Sequence, residues 1–146
     1  MSTIISVVTN SKFGIWNIPM RGQNFINNHY ASLNNYKISF VITEGILFNN
    51  FNLVKSAIKK NHKKKVILIF CSTLQLLELK ITKKEFINFY KNFDIHFSLE
   101  LKKGKGIKYL EDIFVELKGY SKRKNIELNN INSYKDLYKK FKNKII

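Results

Sequence analysis

The chain has 146 residues, of which 45% are hydrophobic and 25% charged, and its formal charge is +16. That length suits one domain with its own core. A single cysteine, Cys71, excludes a disulfide scaffold within the chain, aromatic residues at 14% argue against disorder, and no apolar run reaches the ~18 residues of a membrane helix. Met1-Ser2-Thr3-Ile4 lacks the basic region and cleavage site of a secretory signal, so the expectation is a soluble, cytoplasmic protein.

Ile4-Ile5-Ser6-Val7-Val8 is a β-branched run that reads as a buried strand, followed at once by Thr9-Asn10-Ser11-Lys12. Gly14 and Pro19 mark a loop. From Arg21 to Leu33, the residues Phe25, Ile26, His29, Tyr30 and Leu33 recur at helical spacing, a first helix whose aromatic residues are expected to face the core. Asn34-Asn35 ends that helix. Lys37 to Ile42 reads as a second strand closed by Thr43-Glu44-Gly45, and Phe51 to Lys60 as a second helix. Val66 to Phe70 is five apolar residues in a row, too short for a helix and rich in β-branched types, hence a central parallel strand. Lys83 to Phe93 is a third helix, Ile95 to Leu99 a fourth strand and Lys102 to Gly106 a basic loop. Tyr109 to Leu117 is a fourth helix. After a polar connector from Ser121 to Asn132, Ser133 caps a last amphipathic helix carrying Tyr134, Leu137, Tyr138 and Phe141.

Strands and helices alternate, which predicts a single-domain α/β fold: a mainly parallel sheet of about four strands with helices on both faces. The domain is expected over 1–120, with 121–146 a basic connector and a C-terminal helix packed on it.

The positive charge suggests nucleic acid as a partner. It is almost all lysine, however, with only Arg21 and Arg123 as arginines, and arginine is the usual fork for phosphate and base edges. Lysine also travels with Asn and Ile: 24 Lys, 18 Asn and 20 Ile make up 62 positions, all with A/T-rich codons. The densest run holds Lys55, Lys59, Lys60, Lys63, Lys64 and Lys65 without an acid. It reads either as a phosphate-facing patch or as the solvated end of a helix plus a turn.

Ligands of open α/β sheets bind beyond the C-terminal ends of the strands. Here those ends are polar: Thr9, Asn10 and Ser11; Thr43 and Glu44; Ser72, Thr73 and Gln75; and Glu100. His96 lies inside the fourth strand, among apolar residues, and reads as packed rather than catalytic. His29 and His62 read as helix-surface residues, and Cys71 as a small core residue. One cysteine and three scattered histidines build no structural zinc site, and neither the dinucleotide-binding nor the P-loop glycine pattern occurs. No cofactor or metal is therefore expected.

Five motifs carry a resemblance. They are Gln23-Asn24 at the first helix, Thr43-Glu44 after the second strand, Ser72-Thr73-Leu74 after the third, Ile95 to Glu100, and Leu110-Glu111-Asp112-Ile113. In this order they resemble the sporadic carbohydrate cluster proteins, small bacterial proteins encoded among surface-polysaccharide genes, over about Ser6 to Tyr120. The resemblance implies a cytoplasmic role in surface carbohydrate biosynthesis, binding or converting a phosphorylated or nucleotide-linked sugar. It would place Ser11, Arg21, Gln23, Asn24, Thr43, Glu44, Ser72 and Glu100 at the ligand. Glu44 or Glu100 would be acid or base, and Lys12, Arg21 or backbone N–H groups would hold the phosphate.

The layout is also similar to the catalytic domain of serine recombinases (resolvases). That resemblance implies a resolvase-like fold, with Ser11 as nucleophile or Thr9 if the register slips by two. Ser72 to Lys80 holds no arginine, although attack on a DNA phosphate needs several to balance dispersed negative charge. The alternative function is accordingly nucleic-acid binding by a recombinase-like protein lacking the usual arginine cluster. A third expectation is a protein-interaction module whose Ser133–Lys142 helix docks a partner or a second copy, a homo-oligomer in the latter case.

Overall fold

The computed structural model describes residues 2–10, 17–44, 52–61, 64–79 and 81–120. Strands β1 (Ser2–Thr9), β2 (Phe40–Glu44), β3 (Lys65–Phe70), β4 (Asp94–Phe97) and β5 (Lys102–Gly104) form one sheet in the order β2-β1-β3-β4-β5. The first four pair in parallel and β5 runs antiparallel to β4. Helices α1 (Met20–Leu33), α2 (Asn52–Lys60), α3 (Lys83–Tyr90) and α4 (107–120), with a 3-10 turn at Thr73–Glu78, complete the α/β architecture. The chain divides into two compact units, Met1–Phe114 and Val115–Ile146. The described part of the second is the 115–120 stretch of α4, where Leu117 is buried. The connector and last helix expected after Ser121 lie outside the described residues.

β1 and β3 are buried on both faces, as continuous β-branched runs require. Register sets Ile4 beside Ile67 and Ser6 beside Ile69 on one face, and Ile5 beside Leu68 and Val7 beside Phe70 on the other. α1 covers the first face, where Tyr30 and Ala31 pack on Ile4, Ile67 and Ile69. The second face holds α2, which lies along Phe40 and Ile42 of β2. α3 sits beside it, with Lys55 Nζ over the Phe89 ring at 5.0 Å. The start of α4 follows, where Phe114 meets Phe86 edge-on. Among the described residues, α1 on one face and α2 and α3 on the other are what right-handed crossovers make from this strand order.

Three expectations need correction. The second strand begins at Phe40, not Lys37, and runs through Glu44, because Ile5 to Thr9 of β1 pair with Phe40 to Glu44. The basic loop at Lys102–Gly106 is partly strand, since Lys102, Lys103 and Gly104 pair with Phe97, His96 and Ile95. Only Tyr30 of the helical stripe of α1 is buried: Phe25 and Leu33 are 73% and 67% exposed, and Gln23, Asn27 and Ala31 complete the buried face. Asn34-Asn35 does end α1. Asn35 takes φ 58°, and the N–H groups of Tyr36 and Asn35 bond the carbonyls of Ala31 and Ser32, a Schellman closure.

β5 must carry glycine at 104. A Cβ there would lie 2.5 Å from the Tyr109 ring, whose hydroxyl donates to the Ile95 carbonyl at 2.9 Å. Gly104→Ala is therefore expected to lower stability by about 1–3 kcal/mol, the usual cost of overpacking, as read by urea denaturation.

Candidate functional site

From β1 the chain moves outward to β2 on one side, then returns to build β3 and β4 on the other. The direction reverses between β1 and β3, and in open α/β sheets the crevice beyond that point receives ligands. Thr9 closes β1 there, and Cys71, Ser72 and Thr73 follow β3. The start of α1 reaches the same edge because its second turn is bonded to Thr9.

That bond is made by Gln23, which is fully buried. Its Oε1 accepts from the Thr9 N–H at 2.9 Å, and its Nε2 donates to the carbonyls of Thr9 at 2.7 Å and Ile18 at 2.8 Å. The amide stands in for a neighbouring strand at the end of β1, so its polar atoms are committed to the fold. One turn on, Asn27 Nδ2 donates to Ser6 Oγ at 2.8 Å, and Asn27 Oδ1 accepts from Ser98 Oγ at 2.7 Å. Next, Tyr30 Oη and His96 Nδ1 share a 2.9 Å hydrogen bond. Gln23, Asn27 and Tyr30 thus form a polar seam between α1 and three strands. Asn27 and Ser98 carried no functional reading from sequence. The signal was the spacing of Gln23, Asn27 and Tyr30, which repeats every three to four residues on one helical face.

Beyond β4 the chain turns back through 98–101, and Glu100 is carried to the β3 exit. Its Oε1 accepts from Ser72 Oγ at 2.6 Å, from the Thr73 N–H at 3.1 Å and from Thr73 Oγ1 at 3.1 Å. Ser72 Oγ itself accepts from the Leu74 N–H, and the Ser72 N–H donates to Gln75 Oε1, a capping box that opens the 3-10 turn. Ser-x-x-Gln at 72–75 was the legible signal for that turn. Among the described residues, no group donates to the buried Glu100 Oε2, and Asn24 Oδ1, in the first turns of α1, is in the same state. Leu101, next to Glu100, holds the left-handed region at φ 54°, with its N–H bonded to the Ser98 carbonyl. A leucine there is strained, and such strain persists where surrounding contacts demand the turn.

Of the other residues read from sequence, Arg21 is exposed at the start of α1 and Thr43 is exposed on β2. Glu44 ends β2, described by its backbone alone. Ser11, Lys12 and His62 lie outside the described residues. Thr9 and Ser72 are buried, and His29 is exposed and stacks on Phe25. The structure therefore brings Ser72, Thr73 and Glu100 together, and joins Thr9 to Gln23. Among the described residues no cluster of metal-ligating side chains occurs.

Cys71 is buried beside this cluster. Burial, reinforced by the charge of Glu100, pushes its thiol up to about 12 against the opposing Ser98 hydrogen bond, so it is no thiolate at neutral pH. His96 is held below its ordinary value, first by burial; Asp94 pulls it up, while Lys103 and Lys65 push it down. Burial also raises Tyr30, with Tyr36 adding to it. The seam is therefore built from neutral groups.

No protein-family model matches this chain, and no curated protein or solved structure matches it either.

Two measurements test the seam. Gln23→Leu removes the three hydrogen bonds of the amide to the Thr9 N–H and to the Thr9 and Ile18 carbonyls, each worth about 0.5–1.5 kcal/mol net, so urea denaturation should show a loss of about 2 kcal/mol. His96 binds a proton more weakly folded than unfolded. Its contribution is complete above an unfolded value of 6.5 and is lost as pH falls from there through the lower folded value. Denaturant midpoints measured from neutral to mildly acidic pH should fall, with a slope of at most about 1.4 kcal/mol per pH unit from this group, and His96→Gln should remove that slope.

Proposed function

We propose that this protein binds, and in its cellular setting serves to handle, a phosphorylated or nucleotide-linked sugar of surface-carbohydrate biosynthesis at the C-terminal edge of its sheet. The observation that carries this reading is Glu100 at the exit of β3: one carboxylate oxygen is saturated by Ser72 and Thr73, and the other is buried without a donor among the described residues. A buried acceptor without a partner costs about 1–3 kcal/mol, more when charged, and a ligand hydroxyl relieves that cost. Sugars present such hydroxyls in quantity. Asn24 Oδ1 offers a second acceptor at the same edge, and Arg21 an exposed cation at the start of α1 for a phosphate. Glu100 is the residue we assign as acceptor of a ligand hydroxyl proton. The resemblance to sporadic carbohydrate cluster proteins supports the same ligand class.

No observation of similar weight favours nucleic acid. Within the lysine run, Lys65 pairs with Asp94 at 3.1 Å and Lys55 covers Phe89. Lys65 and Asp94 lie away from the Glu100 edge, at the starts of their strands.

The test is thermal shift followed by calorimetry with a panel of sugar phosphates and nucleotide sugars. A ligand at a hundred times its Kd stabilises by about 2.7 kcal/mol, a clear rise in Tm. Glu100→Gln keeps one oxygen for the three donors and converts the free acceptor into a donor, so it should fold normally and bind at least about tenfold more weakly. The absence of any ligand-induced shift, or equal binding by Glu100→Gln, overturns the proposal.

A further inference from the structure

The two edges of the sheet are built differently. β5, at one edge, is three residues long and reads Lys102-Lys103-Gly104. Short length and edge lysines are common ways to stop a strand from pairing with another chain. β2, at the other edge, has neither protection. From Ile38 to Thr43 the chain contains no charged residue and no proline. Phe40 and Val41 are 46% and 47% exposed, on opposite faces of the strand. Among the described residues only β1 pairs with β2, and alternation along a strand turns half of the backbone donors and acceptors of β2 outward.

A cavity of about 390 Å³ adjoins this edge on the α2 face. Phe40, Ile42, Leu53 and Ala57 supply its apolar lining. Leu53 is 52% exposed, so apolar surface continues from the strand onto the helix.

We propose that β2 pairs with β2 of a second copy of this chain, antiparallel about a two-fold axis through Val41. In that register Phe40 of each copy lies opposite Ile42 of the other, on the α2 face, and the two sheets become one. Charge selects the direction. Lys37 precedes the strand and Glu44 ends it, so antiparallel pairing brings the basic end of each strand to the acidic end of the other, with Glu44 opposite Ile38 and Lys37 one position beyond, whereas parallel pairing sets like ends together. The occupant is a second copy because the strand satisfies its own requirements: the apolar pair Phe40 and Ile42 is self-complementary, and so are its end charges. The net charge of +16 opposes association at low ionic strength, so screening strengthens the dimer.

The full-length chain is examined by sedimentation over a concentration series at about 0.05 and about 0.5 M salt. The expected result is a monomer–dimer equilibrium whose Kd falls as salt rises. Val41→Lys places a charge on the two-fold at an already exposed position, so it should retain the wild-type Tm and raise the dimer Kd at least about tenfold. Amide exchange at residues 39–43 should slow as wild-type concentration increases, and should not in Val41→Lys. A wild-type chain that stays monomeric throughout overturns the proposal, as does a dimer that Val41→Lys leaves intact, which would place the interface elsewhere. A Val41→Lys chain of lowered Tm is judged by exchange in the wild type alone, where concentration-independent protection at 39–43 overturns the proposal.

Discussion

The structure depends on a buried row of amides and hydroxyls between α1 and the sheet. Asn27 is its centre: one atom meets Ser6 of β1 and the other meets Ser98 beyond β4. A buried amide has donors on one side and an acceptor on the other, so only one rotation and one height of α1 satisfy both. An apolar interface tolerates sliding by part of a turn at modest cost, but a polar one that slips leaves unpaired groups in a low-dielectric interior. Gln23 and Tyr30 add the same constraint above and below. The α1 helix is thus fixed by direction as well as by contact.

This constraint reaches the edge of the sheet where the candidate site lies. Gln23 anchors the start of α1 to Thr9 and so keeps Asn24 and Arg21 at the C-terminal edge. Ser98, held by Asn27, is the first residue of the turn that delivers Glu100 two positions later. Glu100 in turn holds the exit of β3 through Ser72 and Thr73. One oxygen of that carboxylate serves the architecture and the other is left buried beside it. The division within a single side chain links the stability of the fold to the proposed binding site. Cys71, packed against the same group, is held as a neutral thiol by burial and by that charge.

The charge that dominates the composition has little part in this arrangement. Lys59 and Lys60 occupy the last turn of α2, where cations are favoured by the helix dipole, and Lys65 pairs with Asp94 at the beginning of the next strand. These lysines lie at the N-terminal edge of the parallel strands, while the polar cluster lies at the C-terminal edge. Lysine also marks the difference between the two sheet edges, guarding β5 and absent from β2.

Local pattern in the sequence was enough for the order of elements. The β-branched runs at Ile4–Val8 and Val66–Phe70 could only be buried strands, the asparagines at 34 and 35 could close a helix, and the alternation of strands with helices implied parallel pairing. Each of these signals acts within a few residues. The inner face of α1 was different: within the stripe at Phe25, Ile26, His29, Tyr30 and Leu33, only Tyr30 is buried. Glutamine and asparagine enter a core only when partners wait there, and the partner of Asn27 is 71 positions further along the chain. The same holds for Lys102–Gly104, which reads as a basic loop until β4 offers it a ladder. It holds for Glu100, whose polar setting was legible as a strand end but whose two oxygens became unlike only when Ser72 and Thr73 came within reach of one. Sequence determines what a segment can be on its own, and tertiary structure decides which polar groups are satisfied, because satisfaction depends on groups brought together from distant parts of the chain.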